Sequence, residues 1–408
     1  MRYAWGSLPS ATKLPLSRAG ILLAVLLLTL QFAGCVPASP SRYLTIQPYE
    51  GKLKSDPRVV AFLRNADSLY KSACSMVADR LTLDPTEIHL KIVVSDLTTK
   101  PEEYADAIVF ASARLDPDAK GVIIEFYSEP LALDLFDPRK LMAHELVHAT
   151  CRHFFGGLYD QQPPWLKEGL AVYCSDQGEE RIKTMLAYYT AGAGFDTLVN
   201  GLGGDHTFKD YAEDYLAIRM LANTFSDRDF AGFIRELAAS SVESTLLKYL
   251  DQKPEAFETS VREFALAFLS REYGAQTESF HKFIAALGAG HVDSAARELA
   301  AARSKGLSDY WEGEARFRLA VALVIAERYG EAIDYLEQLK SRYSRSTINA
   351  THADYYIARC FAAQARYNEA EGEIDRYILC SPFSKMLRGP ALELKMNLER
   401  RRLNSGTN

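Results

Sequence analysis

Basic residues do not predominate in this 408-residue chain, which has 47 lysines and arginines against 53 aspartates and glutamates. The formal net charge at pH 7 is −6, and no basic run is interleaved with aromatic residues. Proteins that bind nucleic acid non-specifically need a surplus of positive charge to neutralise phosphates. The composition therefore argues against a general nucleic-acid binder, and we expect no nucleic-acid partner.

The chain also lacks the uninterrupted run of ~20 apolar residues that a good membrane-spanning helix needs. Its most apolar stretch, AGILLAVLLLTLQFAGC (19–35), is too short and is interrupted by Thr29 and Gln31. The only charged residues before it are basic: Arg2, Lys13 and Arg18. A basic segment followed by a short apolar one is typical of a secretory signal.

The end of that stretch, FAGC (32–35), resembles the bacterial lipobox, in which the cysteine is lipid-modified and becomes the mature N-terminus. The resemblance implies a signal peptide over 1–35 and a membrane anchor at Cys35. Val36, where an aspartate could stand, is similar to lipoproteins sorted to the outer membrane. We therefore expect a lipid-anchored protein of the bacterial cell envelope, facing the periplasm. Phe32 replaces the usual leucine, and an ordinary cleaved signal is the alternative.

The rest of the chain has few regions of strand-like sequence. Three prolines and no periodicity over 36–50 predict a tether, and 57–80 has apolar residues at helical spacing. Short stretches rich in β-branched and aromatic residues predict a small sheet; they are 88–97, 107–113 and 121–128. From Pro138 onward the pattern is almost entirely helical. The expected fold class is α+β.

The last 130 residues contain a repeated pattern. GHVDSA (290–295), ERYGEA (327–332) and ARYNEA (365–370) recur at offsets of 37 and 38. The pattern resembles the tetratricopeptide repeat, whose period is ~34. This resemblance implies an all-α repeat domain over 276–408, with an extended surface on which another protein docks. An unrelated helical bundle is the alternative.

The chemistry-bearing motif is HELVH (144–148). Residues i and i+4 lie on one face of a helix, so His144 and His148 can ligate one metal ion. Glu145 then lies beside the metal without ligating it and can take a proton from water. Asp137 and Pro138 are suited to the N-cap and first position of such a helix.

A catalytic zinc ion needs a third protein ligand and an open position. The metzincin spacing is excluded, because its third histidine would stand at Phe154. His153 is one residue away and would point away on a continuing helix. Glu168, in PPWLKEGLAVYC (163–174), follows two prolines that favour a helix start and is the better candidate.

HELVH followed by WLKEGLA resembles the gluzincin clan of zinc peptidases, most closely the peptidase MA-like group. The resemblance implies a gluzincin-like domain over 51–275 with one Zn²⁺ per chain. Its ligands would be His144, His148 and Glu168, and Glu145 would be the general base. Val172 departs from thermolysin-like enzymes, which have an acid there to orient a histidine, so another group must do so.

YAEDYLAIRML (211–221) is similar to the aminopeptidase-type helix that begins with a catalytic tyrosine. Residue by residue, this similarity places the oxyanion donor at Tyr211, with His206 as the alternative and Tyr215 as a core residue. Cys151 and Cys174 follow the two ligand segments. If those helices pack together, the thiols could pair; two free buried thiols are the alternative.

The sequence thus predicts a zinc-dependent peptidase, an endopeptidase by expectation, that acts on peptide or protein substrates. A repeat domain for a protein partner and a membrane anchor at Cys35 complete the prediction. The rival hypothesis is an inactive peptidase-like scaffold for envelope assembly or docking. The complete set of His144, Glu145, His148 and Glu168 argues against that rival, because a scaffold has no need of Glu145.

Overall fold

The computed structural model describes residues 44–81, 83–97, 110–115, 121–189, 195, 199, 202, 208–345, 348–380 and 385–405. The predicted signal with Cys35 and the alternative donor His206 lie outside these residues. None of the helices in the described ranges combines the length and the apolar character needed to cross a membrane.

The described residues form one small sheet and many helices, so the α+β class is confirmed at that level. The strands are β1 (Leu44–Ile46), β2 (Leu90–Ser95), β3 (Ala111–Leu115) and β4 (Val122–Tyr127), in the order β1-β2-β4-β3. β1, β2 and β4 are parallel, with Ile46 opposite Ile92 and Ile92 opposite Ile124. β3 runs antiparallel to β4, with Ala113 opposite Ile124.

The helices before the repeats are numbered in chain order, and the first three of them contact the sheet. They are α1 (Pro57–Leu81), α2 (Ser128–Ala132), α3 (Pro138–Phe155), α4 (Leu158–Gln161), α5 (Pro164–Cys174), α6 (Gly178–Tyr189), α7 (Phe208–Thr224), α8 (Asp227–Glu236) and α9 (Val242–Leu250). Single 3₁₀ turns lie at Pro85–Glu87 and Ile348–His352. The predicted strands at 88–97 and 121–128 and the predicted helix over 57–80 match β2, β4 and α1 within a few residues. The predicted strand at 107–113 overlaps β3 at 111–113, and its residues 107–109 lie outside the described ones.

Helix α1 forms because its apolar residues recur every three or four positions and are all buried: Val59, Phe62, Ala66, Tyr70, Ala73 and Val77. Its Phe62 ring packs on Phe126 of the central strand β4, with ring centroids 4.7 Å apart. Burying one such side chain stabilises the fold by about 1.5–3 kcal/mol. α1 also packs on α3, so the sheet and α1 together support the helix that carries HELVH.

Strand β1 corrects the predicted tether. Residues 44–46 lie in the proline-containing stretch 36–50, yet they pair in parallel with Leu90–Ile92 of β2. Tyr49 just beyond is buried, and its hydroxyl donates to the carboxylate of Asp96 at 2.5 Å. The prediction was wrong here because a three-residue edge strand is too short to show a periodicity.

The C-terminal residues form three helical hairpins and a last helix. They are α10 (Pro254–Gly288) with α11 (Val292–Ser304), α12 (Asp309–Ile325) with α13 (Tyr329–Arg342), α14 (Ala353–Ala363) with α15 (Tyr367–Cys380), and α16 (Lys385–Ser405). The first residue of each repeated hexapeptide has a left-handed backbone. Its φ is 73° at Gly290, 59° at Glu327 and 60° at Ala365. The sixth, Ala295, Ala332 or Ala370, is fully buried. The repetition in the sequence is therefore a repetition of the hairpin turn.

The predicted boundary between residues 275 and 276 falls inside α10, a continuous helix of 35 residues. The hydrophobic core also continues across it. One cluster joins Val172 of α5 and Leu216 of α7 to Phe268 of α10 and Trp311 of α12. The hairpins therefore pack directly on the helices that carry the candidate site.

Candidate metal centre

Helix α3 carries three of the candidate site residues. Its start is fixed by Asp137, whose carboxylate accepts the main-chain N–H of Arg139 at 2.9 Å, and by Pro138 at the first position. His144 and His148 lie one turn apart, and their ring centroids are 4.9 Å apart. Both histidines therefore face the same cleft.

Helix α5 carries Glu168 and lies against α7. Pro163 stands at its N-cap and Pro164 at its first position, as the sequence predicted. A Cβ added at Gly169 would lie 2.4 Å from the main-chain oxygen of Asp214 on α7, closer than any side chain tolerates. Glycine after the glutamate thus lets α5 approach α7 and fixes the depth of Glu168.

The three predicted ligand side chains meet at one point. The Nε2 atoms of His144 and His148 are 3.2 Å apart, and each is 3.5 Å from Oε2 of Glu168. Donors about 2.0–2.2 Å from a tetrahedral zinc ion lie roughly 3.3–3.6 Å from one another. The nitrogen and oxygen donors therefore fit one zinc ion. Within the described ranges, this is the single group of histidine, cysteine and acidic residues so arranged.

The outer nitrogen of His148 has a partner that the sequence did not reveal. Its Nδ1 lies 3.0 Å from the hydroxyl of Tyr159. When Nε2 ligates a metal, Nδ1 carries the ring proton and donates to this oxygen. The Tyr159 ring is held in turn by the Arg152 guanidinium, 4.9 Å from its centroid. Nδ1 of His144 is buried and has no hydrogen-bond partner among the described residues.

The contact between His148 and Tyr159 predicts an effect on metal affinity. We expect Tyr159→Phe to weaken zinc binding by about ten- to a hundredfold, because the imidazole loses the group that orients it. Competition with a chromogenic chelator measures the dissociation constant. Tyr173→Phe, which changes a tyrosine on α5 outside the cleft, is the matched control and should bind zinc like the wild type. Equal affinity in both variants would contradict the role of Tyr159.

Glu145 is buried beside the ligands and is not one of them. Its carboxylate accepts the main-chain N–H of Ala113 on strand β3, so the strand fixes its position. Burial raises the pKa of Glu145 to about 7. A group that exchanges protons near neutral pH is suited to general acid–base work, and a nearby cation favours its ionised form.

The ligand side chains differ in charge. Burial lowers the pKa of His144 to about 4, so its imidazole is neutral, as a metal ligand must be. Burial also opposes a charge on His148, but Glu168 outweighs it and raises the pKa of that imidazole. Burial would raise the pKa of Glu168 too, yet His148 first and then His144 hold it well below its usual range. Glu168 is therefore anionic and would be an anionic ligand for a metal ion.

These groups line a cleft of about 250 Å³, which also includes Tyr211 and residues 111–114 of β3. Tyr211 thus lies in the same cleft as the predicted ligands, and burial raises the pKa of its phenol, so the phenol stays protonated. Tyr215, one turn on, is buried in the core as expected. His153 is exposed near the end of α3 and contacts the Phe154 ring edge-to-face, outside the group of predicted ligands.

Both cysteines near the site are free. Cys151 and Cys174 are buried, and neither forms a disulfide. The electrostatic influence of Cys174 on Cys151 places the two thiols near each other, yet burial raises the pKa of both, which disfavours the reactive thiolate. The sequence left open whether these cysteines pair or stay as two free buried thiols, and the structure has two free buried thiols.

Sequence reasoning missed Tyr159, the main chain of Ala113 and Arg181 of α6. The Arg181 guanidinium lies 5.1 Å from the centroid of the Tyr211 ring and acts electrostatically on His144 and Glu145. Tyr159 lies eleven residues past His148, beyond the helix end at Gly156, where no spacing rule applies.

In comparisons with protein-family models, curated proteins and solved structures, none matches this chain.

Proposed function

We propose that this protein is a zinc-dependent peptidase, acting as an endopeptidase. One observation carries the proposal: three donors spaced for a tetrahedral zinc ion share a cleft with a buried carboxylate that is not a ligand. Structural zinc sites are closed by four ligands, whereas catalytic ones have three and an open position. His144, His148 and Glu168 supply three.

When bound, zinc supplies Lewis acidity, which polarises a carbonyl group and makes water a stronger acid. Glu145 takes the proton from the attacking water and returns it to the leaving amine. The Ala113 N–H holds the carboxylate in place for both transfers. Tyr211 donates its phenolic proton in a hydrogen bond to the oxygen that becomes negative in the tetrahedral intermediate.

Strand β3 supports a peptide as the substrate. It is an edge strand, since among the described strands it pairs with β4 alone. Ala111, Ser112, Ala113 and Arg114 line the cleft beside the ligands. An extended peptide can add to such an edge through main-chain hydrogen bonds, which recognise any sequence. This arrangement would hold a peptide bond within reach of Glu145.

The role of Tyr211 predicts a loss of rate without a loss of metal. We expect Tyr211→Phe to lower kcat by at least about tenfold, because an oxyanion donor commonly contributes 10²–10³ in rate. Zinc content and the melting temperature should stay close to the wild-type values. Tyr215→Phe, one turn away on α7, is the control and should retain activity. Equal kcat for Tyr211→Phe and wild type would move the assignment to His206.

The test of the proposed function is a digest of a peptide library by the zinc-loaded protein beside its Glu145→Gln variant. Cleavage by the wild type alone supports the proposal. Zinc bound without cleavage by either protein would favour the inactive scaffold instead.

The remaining parts of the proposed function concern location and partners. The lipobox-like FAGC (32–35) supports a lipid anchor at Cys35 in the bacterial envelope, facing the periplasm from the outer membrane. The three helical hairpins support docking of a protein partner, because stacked hairpins present an extended surface. A change of Cys35 to serine that leaves the protein in the membrane fraction would contradict the anchor.

A further inference from the structure

A second, smaller cavity of about 80 Å³ lies next to the metal cleft. Helix α3, helix α6 and the C-terminal hairpins all contribute to it. Its walls combine aromatic and aliphatic side chains with charged and polar ones: Phe110, Leu135, Phe136, Leu141, Tyr310, Lys140, Arg181, Arg345, Asp137, Glu180, Gln177 and Thr184. Phe110 stacks on Phe136, with ring centroids 5.4 Å apart. The cavity thus combines apolar walls with three cations and two carboxylates.

The three cations differ in their partners. Lys140 is 2.9 Å from a carboxylate oxygen of Glu180, and Arg345 is 2.5 Å from one of Asp134. Arg181 has no carboxylate within ion-pair distance among the described residues. Within the part of the chain that the structure describes, its guanidinium donates to the neutral side-chain oxygen of Gln177, at 3.3 Å. Arg181 is therefore a half-buried cation with no carboxylate of the described residues close enough to form an ion pair with it.

Arg181 also connects the two cavities. Its guanidinium lies 5.1 Å from the centroid of the Tyr211 ring, and that ring lines the metal cleft while Arg181 lines the second cavity. A substrate that extends from the metal centre past Tyr211 would therefore reach the guanidinium of Arg181. The planar fork of arginine binds carboxylates through two parallel hydrogen bonds.

We propose that Arg181 and the second cavity form a subsite for a carboxylate of the substrate, a few residues from the bond that is cut. This inference rests on the proposed peptidase function. The stacked Phe110–Phe136 pair and Tyr310 accommodate the apolar part of the residue that carries the carboxylate. The carboxylate is either the C-terminus of a short peptide or an acidic side chain, and the chemistry of recognition is the same.

The test measures binding, so that it does not depend on hydrolysis. The probes are acetyl-Ala-Ala-Phe as free acid and as amide, and acetyl-Ala-Ala-Asp amide beside acetyl-Ala-Ala-Asn amide. Their dissociation constants are measured by calorimetry on the zinc-loaded full chain carrying Glu145→Gln. A charged hydrogen-bonded pair is equivalent to about a ten- to hundredfold change in affinity. We expect one acid probe to bind at least tenfold more tightly than its neutral partner.

Adding Arg181→Met should abolish that ratio, whereas Arg228→Met, an exposed arginine on α8, should keep it. If Arg181→Met fails to fold, Arg181→Lys, which keeps the charge and loses the fork, should reduce the ratio. The acid and neutral probe pair whose dissociation constants differ at least tenfold shows whether the subsite binds a C-terminal or a side-chain carboxylate.

Equal binding of acid and neutral probes to the parent protein would overturn the proposal. So would an unchanged ratio in the folded Arg181 variant. An equal loss for acid and neutral probes would mean that Arg181 only supports Tyr211, and would overturn it as well. Failure of the proposed peptidase function is a separate result, recorded by the absence of cleavage in the wild type.

Discussion

The Glu145→Gln variant should bind about one zinc ion per chain and lose nearly all peptide hydrolysis. General acid–base catalysis contributes typically 10²–10⁴ in rate, so we expect kcat to fall by about that factor. Glutamine keeps the shape of the side chain but neither accepts a proton from water nor delivers one to the leaving amine. Because the carboxylate is not a ligand, the three donors are unchanged and zinc stays bound.

The measurement pairs zinc content with initial rates on a peptide that the wild type cuts. Glu243→Gln is the matched control, because it makes the same chemical change at an exposed position on α9, outside the cleft. It should retain full activity and full zinc content. A Glu145→Gln protein that cuts at the wild-type rate would end the assignment of Glu145 as the base, whatever its metal content.

Local patterns explain why most of the site could be predicted from sequence. His144 and His148 meet because a helix places residues four apart on one face, and Asp137 with Pro138 marks where that helix begins. The start of α5 at Pro164 similarly follows from the two prolines before it. The position of Glu168 next to the histidines came from a resemblance to a known clan, since no helical periodicity relates residues twenty apart. The structure brings the three side chains together as that resemblance implied.

The rest of the site depends on packing between distant segments. Ala113 reaches Glu145 only because β3 runs antiparallel along the edge of the sheet, and a strand's sequence does not encode its neighbours. Arg181 lies near the ligands because α6 packs on α7, and alone its sequence context GEER suggests only an exposed helix start. Long-range contacts of this kind leave no spacing rule for a single sequence to display.

The core that continues across the predicted boundary between residues 275 and 276 was not visible in the sequence for a related reason. Apolar residues of α10 such as Phe268 repeat at helical spacing, which fits packing on either side of residue 275. The structure uses them to join α7 to the hairpins. Tyr310 and Arg345 of the hairpins then reach the cavity beside the metal centre. The candidate metal centre and the hairpins therefore belong to one packed body.

Removing one of the three predicted zinc ligands should cause a second large effect, the loss of bound zinc. We expect His144→Ala and Glu168→Ala to retain less than about a tenth of the wild-type zinc after dialysis, because two donors seldom hold zinc against competing water. Wild-type protein should also gain about 2.7 kcal/mol of stability against unfolding when zinc is present at a hundred times its dissociation constant. The two variants should gain almost none, since they bind zinc too weakly.

His153→Ala is the matched control, because it removes a histidine from the same helix α3 at an exposed position outside the ligand group. It should keep the zinc content of the wild type and the same rise in melting temperature when zinc is added. Elemental analysis and thermal unfolding with and without zinc give both readouts. Full zinc content in Glu168→Ala would mean that the third ligand lies elsewhere in the chain, and loss of zinc from His153→Ala would mean that the ligand group extends to the end of α3.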